Sequence, residues 1–266
     1  PFVVAMTLVA FGTSAPELAI SINAAIKGYE GITIGNIVGS NIANIMFALP
    51  IAFLVRLPKK SDVKKIDCTF LFIITIIYSY ILLQYNYLSF YLGIMMTLTL
   101  VTYVSFIIYE AKTGKRKFDS SENISTISLK KSLFLSVAGI LGILLGAEIL
   151  VKGAVSIAEI FNVSQTIIGL TLVAIGTSIP EVATSLVAAY RGQISFIMGA
   201  ILGSNLFNLL GITGVASIIT PIAIKNTLGI LDITYLVLST IVFIFLSFYL
   251  KVLNKPTIVL LLISYL

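Results

Sequence analysis

The sequence contains no histidine and only one cysteine, Cys68. Without histidine it lacks the commonest proton shuttle and the commonest ligand of transition metals. A single thiol cannot form an internal disulfide or a cysteine metal cluster, so redox chemistry is not expected. Charged residues are also scarce, since they make up 11% of the chain, whereas soluble domains contain about 25%.

Apolar residues are abundant instead. They make up 58% of the 266 residues, and the mean hydropathy is +1.09. A helix needs about 20 predominantly apolar residues to cross a bilayer, and stretches of that length recur along the sequence. The expected membrane spans are 1–26, 31–55, 67–84, 87–109, 131–157, 163–190, 195–219, 226–250 and a partial span at 256–266.

The distribution of basic residues predicts how these spans are oriented. Most of the 17 lysine and arginine residues fall in the loops at 56–65 and 112–131 and near residues 191 and 251–255. These segments all fall on one side of the predicted topology. Because cytoplasmic loops carry the excess of basic residues, we expect the loops at 56–65 and 112–131 to be cytoplasmic. The net charge of +6 then reflects membrane topology rather than nucleic-acid binding.

An internal repeat organises the chain. Residues 7–44 align without a gap with residues 171–208, and more than half of the aligned positions are identical. The identities include most of the phrases GTSAPE at 12–17 and GTSIPE at 176–181. Shared apolar composition would rarely align proline, glutamate, asparagine and glycine in register, so we infer an internal duplication.

The two copies are separated by five spans and therefore enter the membrane in opposite directions. Inverted repeats are typical of secondary transporters, whose binding sites lie near the bilayer midplane. The predicted fold class is all-α, a polytopic membrane protein of two inverted five-helix repeats. Its first helix is expected to precede Pro1, and its last helix is partial. We divide the chain into a first repeat at 1–110, a cytoplasmic basic loop at 111–130 and a second repeat at 131–266.

Each copy of the repeated phrase places a proline and a glutamate inside an apolar run. Pro16 and Pro180 lack the N–H that would bond the carbonyl four residues earlier, so we expect helix breaks and freed carbonyls. Glu17 and Glu181 are costly to insert into a bilayer, and such residues are functional by default. Spacings of three and four residues place hydroxyls on the same helix face as each glutamate; they belong to Thr13, Ser14, Thr177 and Ser178.

The helix after each break carries a second polar stripe, in GNIVGSNIAN at 35–44 and GAILGSNLFN at 199–208. Glycines four residues apart allow close helix approach, which would bring this stripe against the glutamate. Taken alone, a proline kink or a glycine pair more often serves packing. Together the features predict a midplane cage of oxygen ligands, which suits hard cations such as Na⁺ and Ca²⁺. Its side chains are Glu17, Thr13, Ser14, Ser40 and Asn44 from the first copy, and Glu181, Thr177, Ser178, Ser204 and Asn208 from the second.

The paired motifs GTSAPE…GNIVGSNIAN and GTSIPE…GAILGSNLFN resemble the α1 and α2 repeats of the sodium/calcium exchanger family, especially those of its compact prokaryotic members. The resemblance implies ten helices in two inverted halves and exchange by alternating access. It implies that the cage side chains named above are the ion ligands. It also implies that backbone carbonyls near the breaks, around Ala10 and Ala174, contribute to the metal site.

One departure from the family pattern concerns charge. Some prokaryotic members and the potassium-dependent branch carry an aspartate at the position of Asn208, whereas Asn44 and Asn208 are both neutral here. This difference argues against K⁺ co-transport. Two carboxylates balance one Ca²⁺ or two Na⁺, so the exchange stoichiometry stays open.

We therefore expect an antiporter that exchanges Na⁺ for Ca²⁺ across a prokaryotic plasma membrane, with these ions and membrane lipid as its partners. It is expected to be neither an enzyme nor a cofactor protein, because no Walker A spacing and no Ser–His pair is present. The nearest alternative is a H⁺/Ca²⁺ antiporter. A cation channel and a membrane-embedded hydrolase are further alternatives.

Overall fold

The computed structural model describes residues 2–58, 63–115, 149–225, 227–249 and 253–265, together with Gly146. Residues 116–130 of the basic loop and residues 131–145 of the predicted fifth span lie outside the described residues. The division into two repeats and a loop therefore stays a prediction around this segment.

Helices make up most of the described chain. In order they are α1 (Phe2–Thr13), α2 (Ala15–Ile26), α3 (Glu30–Val55), α4 (Lys65–Gln84), α5 (Phe90–Lys112), α6 (149–161), α7 (Gln165–Thr177), α8 (Ile179–Tyr190), α9 (Ile194–Ile219), α10 (Ile230–Phe248) and α11 (Lys255–Tyr265). Within the described ranges, five helices are long and apolar enough to cross a membrane, and the pairs α1–α2 and α7–α8 add two broken spans. The predicted helical, polytopic architecture is confirmed.

Both broken spans bend at a serine. Helices α1 and α2 meet at Ser14 with a bend of 41°, and α7 and α8 meet at Ser178 with a bend of 42°. Pro16 and Pro180 lie in the first turn of the following helix, where a missing N–H removes no intrahelical hydrogen bond. The breaks were predicted correctly, but each proline begins a new helix rather than interrupting a continuous one.

Four π-helical stretches occur in the described part of the motif helices, and the sequence pattern did not indicate them. They occupy Ala5–Val9, Asn44–Ala48, Gly169–Val173 and Phe207–Ile212. The stretches fall at corresponding positions of the two repeats, before each break and at the end of each polar stripe. Such wide turns are rare and frequently mark functional sites.

Helices α3 and α9 form the centre of the fold. Their most apolar windows are 83% and 89% buried, against 22% for α5 and 39% for α10. A Cβ on Gly39 would lie 2.5 Å from the carbonyl oxygen of Leu170, and a Cβ on Gly203 would overlap the carbonyl oxygen of Met6. The predicted close approach is confirmed, and it joins each glycine helix to the broken helix of the opposite repeat.

Two short strands modify the all-helical prediction. Residues Tyr87–Leu88 (β1) pair with Ile222–Ala223 (β2) in an antiparallel ladder that joins the loop between α4 and α5 to the loop between α9 and α10. The span predicted at 87–109 therefore starts later, at Phe90. Its start is set by Ser89, whose hydroxyl accepts a hydrogen bond from the Leu92 N–H at 3.3 Å and caps α5.

Candidate ion-binding site

Two buried carboxylates lie at the starts of the helices that follow the breaks. Glu17 is 0% exposed and Glu181 is 2% exposed, and each lies in the first turn of its helix, α2 or α8. The positive end of the helix dipole stabilises a negative charge at this position. Among the described residues, neither Oε2 atom has a hydrogen-bond partner. A buried carboxylate is unfavourable unless its oxygens are paired, and a cation satisfies that requirement.

Each glutamate accepts a hydrogen bond from the serine at the break of the opposite repeat. The Ser14 hydroxyl donates to Glu181 Oε1 at 3.0 Å, and the Ser178 hydroxyl donates to Glu17 Oε1 at 3.5 Å. Both serines occupy N-cap positions, yet neither side chain caps its own helix. These crossed hydrogen bonds bring the two carboxylates into one buried cluster of polar side chains.

Helix α9 and the middle of α3 contribute further neutral polar groups that are buried near the glutamates. The Ser204 hydroxyl donates to Glu181 Oε1 at 3.4 Å. The Asn44 amide donates to Asn205 Oδ1 at 3.0 Å, which leaves Asn44 Oδ1 without a partner among the described residues. Neither polar atom of the Asn208 side chain has a partner within the same part of the chain. All of these side chains are buried, so the pocket contains acceptor oxygens that protein groups do not saturate.

The middle of α3 brings Ser40 against the second repeat. The hydroxyl oxygens of Ser40 and Thr177 lie 3.2 Å apart, and the Thr177 hydroxyl also donates to Asn36 Oδ1 at 3.1 Å. Thr177 and Ser178 both lie next to Glu17. Ser40 therefore belongs to the half of the pocket that contains Glu17.

Thr13 differs from its repeat counterpart Thr177. Its hydroxyl lies 3.1 Å from the carbonyl oxygen of Val9 and 3.3 Å from that of Ala10, and the side chain is only half-buried. Thr13 also lies beside Glu181. It is therefore at the edge of the pocket, between the carbonyls of its own helix and Glu181.

The two predicted backbone ligands lie at the breaks. The Ala10 carbonyl accepts from the Ser14 N–H at 3.0 Å, and the Ala174 carbonyl accepts from the Ser178 N–H at 3.1 Å. The second lone pair of each carbonyl oxygen faces a threonine hydroxyl, that of Thr13 at 3.3 Å and that of Thr177 at 3.2 Å, so a cation bound there would replace this hydrogen bond. The two break serines, Ser204, Thr13 and Thr177 thus lie beside the glutamates, and Ser40 contacts Thr177. Asn44 and Asn208 are buried on the same two central helices, and the role of every predicted ligand in binding ions stays a prediction.

Two asparagines in the network were not predicted. Asn36 lies four residues before Ser40, and Asn205 follows Ser204 directly. The signal for Asn36 was its position on the same helical face as Ser40. Asn205 carried a weaker signal, because only its identity with Asn41 in the aligned repeat distinguished it.

The protein family that this chain matches agrees with an ion-binding site at this place. The family model described as sodium/calcium exchanger protein matches residues 1–109 and 131–266, which is most of the chain. The chain belongs to this family. Its members are membrane transporters that exchange cations with Ca²⁺, and the helical, polytopic organisation inferred from the sequence agrees with that of a solved exchanger structure.

Individual relatives are similar over nearly the whole chain. The sodium/calcium exchanger MaX1 of Methanosarcina acetivorans is 29% identical over 92% of this chain and 81% of its own length. The inner membrane protein YrbG of Escherichia coli is 32% identical over 91% of this chain and 77% of its own. A solved structure of the sodium-calcium exchanger NCX_Mj superimposes with a TM-score of 0.71 at 29% identity, covering 99% of this chain and 84% of that one.

Proposed function

We propose that this protein exchanges Na⁺ for Ca²⁺ by alternating access, with both ions bound in the pocket between Glu17 and Glu181. The observation that carries the proposal is the crossed pair of serine–glutamate hydrogen bonds, which brings the two carboxylates together. The unpartnered Oε2 atoms beside them supply negative oxygens for a cation. Hard cations prefer such all-oxygen surroundings.

The charge of the pocket determines what can cross the membrane. Two carboxylates balance one Ca²⁺ or two Na⁺, so either load gives a nearly neutral site. Without ions, the two negative charges repel each other in surroundings of low dielectric. We infer that the ion-free state crosses poorly, which favours exchange over leak.

The proposed ligands come from both repeats. In addition to the glutamates they are Thr13, Ser14, Ser40, Asn44, Thr177, Ser178, Ser204 and Asn208, with the carbonyls of Ala10 and Ala174. Ca²⁺ would take both carboxylates and neutral oxygens, whereas Na⁺ ions would take overlapping positions with fewer oxygens each.

The proposed orientation places the basic loops in the cytoplasm of a prokaryotic cell. A contact between the start of α4 and the end of α5 supports this topology, because Lys64 Nζ lies 3.1 Å from Glu110 Oε1 and 3.1 Å from the Lys115 carbonyl oxygen. The two loops therefore emerge on the same side, as the positive-inside rule requires.

The test is Ca²⁺ uptake into vesicles that contain the purified protein and are loaded with Na⁺. We expect uptake when Na⁺ is inside and Na⁺-free buffer outside, and none when Na⁺ is equal on both sides. Glu17→Gln should abolish the Na⁺-dependent uptake. Glu30→Gln provides the charge-matched control, because Glu30 lies at the start of α3 and outside the pocket.

Other outcomes would favour the alternatives. Uptake driven by a pH gradient and indifferent to Na⁺ would identify a H⁺/Ca²⁺ antiporter. A conductance far above the turnover of a carrier would identify a cation channel. Na⁺-driven uptake that persists in Glu17→Gln would contradict the proposed pocket.

A further inference from the structure

The two repeats differ at one buried position beside the pocket. Asn36 of α3 aligns with Ala200 of α9. Asn36 is fully buried, and both ends of its amide are engaged. Its Oδ1 accepts hydrogen bonds from Thr177 at 3.1 Å and Ser40 at 3.4 Å. Its Nδ2 donates to the Ser21 hydroxyl at 3.0 Å and the Glu17 carbonyl oxygen at 3.3 Å.

The amide has one orientation because of these partners. The Glu17 carbonyl can only accept a hydrogen bond, so it must face the Nδ2 group of Asn36. Oδ1 then faces the two hydroxyls, Thr177 and Ser40, and can only accept from them. A flipped amide would place an acceptor against the carbonyl of Glu17.

This orientation of the Asn36 amide leaves the hydroxyl oxygens of Thr177 and Ser40 able to coordinate a cation. A hydroxyl that coordinates a cation uses an oxygen lone pair, and its hydrogen must point to another acceptor. Asn36 Oδ1 provides that acceptor for Ser40, and for Thr177 it does so beside the Ala174 carbonyl, whose oxygen lies 3.2 Å from the Thr177 hydroxyl. Their remaining lone pairs are therefore available on the side of the pocket that contains Glu17.

The other half of the pocket has no side-chain amide at this position, because Ala200 has no polar side chain, and its Thr13 hydroxyl bonds to carbonyls of its own helix. Its Ser204 hydroxyl instead donates to Glu181 Oε1 at 3.4 Å, and a cation that binds both groups would compete with that bond. The two repeats also differ at Ser185, which aligns with Ser21. Its hydroxyl oxygen is buried, and the described part of the chain offers it no hydrogen-bond partner.

We propose that Asn36 is a positioning residue that makes the half of the pocket around Glu17, Thr177 and Ser40 the tighter cation site. This proposal rests on the proposed function. It predicts that the two halves bind Na⁺ unequally and that Asn36, which is not itself a ligand, sets the difference.

The test is the substitution Asn36→Ala, which introduces the residue that already occupies the aligned position in α9. The half-saturating Na⁺ concentration for Ca²⁺ exchange should rise roughly tenfold, since Ser40 loses its amide acceptor and Thr177 keeps only the carbonyl of Ala174. The maximal rate and the melting temperature of the ion-free protein should change little. Ser185→Ala is the matched control at the other repeat, and it should leave the Na⁺ dependence at the wild-type value.

The results separate the inference from the proposed function. If wild-type protein shows no Na⁺-dependent exchange, the proposed function fails. If the wild type exchanges and Asn36→Ala keeps the wild-type half-saturating Na⁺ concentration, only the inference is overturned. A lower maximal rate and melting temperature with unchanged Na⁺ dependence would also overturn it, because that pattern indicates a purely structural role.

A second variant tests the same idea if Asn36→Ala does not yield folded protein. Ala200→Asn supplies the missing acceptor to the Glu181 half, where Ser185 is available to orient the new amide. The half-saturating Na⁺ concentration should then fall several-fold. Folded Ala200→Asn protein with an unchanged Na⁺ dependence would count against the proposal.

Discussion

The substitution Gly39→Ala tests whether the pocket depends on the close contact between α3 and α7. The new Cβ would lie 2.5 Å from the carbonyl oxygen of Leu170 and 2.7 Å from the Cβ of Ala174. Carbon atoms in contact are ordinarily about 3.5–4.0 Å apart, so the two helices must separate by about 1 Å. Ser40 follows Gly39, and its 3.2 Å contact with Thr177 would be lost.

The expected change in the free energy of unfolding is the sum of two opposing effects. Overpacking of a tight interface costs about 1–3 kcal/mol, whereas alanine in place of glycine stabilises a helix by about 1 kcal/mol. Gly153→Ala isolates the second effect, because Gly153 is helical and no atom of the residues that the structure describes lies within 4 Å of its would-be Cβ. The difference in stability between the two variants should therefore equal the packing cost alone.

The assay compares thermal unfolding of both variants in detergent, with and without Ca²⁺. We expect Gly39→Ala to melt at a lower temperature than Gly153→Ala and to lose most of the stabilisation that Ca²⁺ gives the wild type. Equal melting temperatures, or full Ca²⁺ stabilisation of Gly39→Ala, would refute the reasoning that the helix contact sets the pocket geometry.

Three further substitutions separate ion binding from structure. Glu181→Gln should weaken Ca²⁺ binding, measured by calorimetry, by more than the roughly 10–100-fold that loss of an outer-shell partner costs, and a smaller effect would argue against a direct ligand. Asn208→Asp adds a third carboxylate to the pocket and should lower the half-saturating Ca²⁺ concentration in flux assays; no change would place this side chain outside the ion site. Asp67→Ala removes the acceptor of the Tyr103 hydroxyl at 2.8 Å and a helix-capping contact at 3.2 Å, and should destabilise the protein by about 1–2 kcal/mol. Its half-saturating Ca²⁺ concentration should stay at the wild-type value, and a shift would link this end of α4 to the pocket.

Much of the fold was predictable because membrane spans and internal duplication can be recognised from residue types and their spacing along the sequence. A span needs only a sufficient length of apolar residues, so the boundaries of α3 and α9 agree closely with the predicted segments. The repeat identified the two glutamates as equivalent, and glycines at a spacing of four identified the helix faces that approach closely. Each of these features depends on residue type and spacing within one segment.

Details of the pocket were less predictable because they depend on contacts between distant segments. Spacing placed both Thr13 and Thr177 on the glutamate face, and both hydroxyls bond carbonyls of their own helices, but only Thr177 also reaches the amide of Asn36. The roles of Asn36 and the strand pair at Tyr87–Leu88 likewise depend on partners far away in the chain.

The sequence by itself determined that the chain is a helical membrane protein with two matching halves, each carrying a buried glutamate at a helix break. Only the tertiary structure decided that each break serine reaches the glutamate of the opposite half. The same holds for the π-helical turns beside the pocket and for the asymmetry between Asn36 and Ala200. The physical reason is that hydropathy and spacing act within one helix, whereas the direction of a hydroxyl hydrogen depends on which acceptor packing brings within reach.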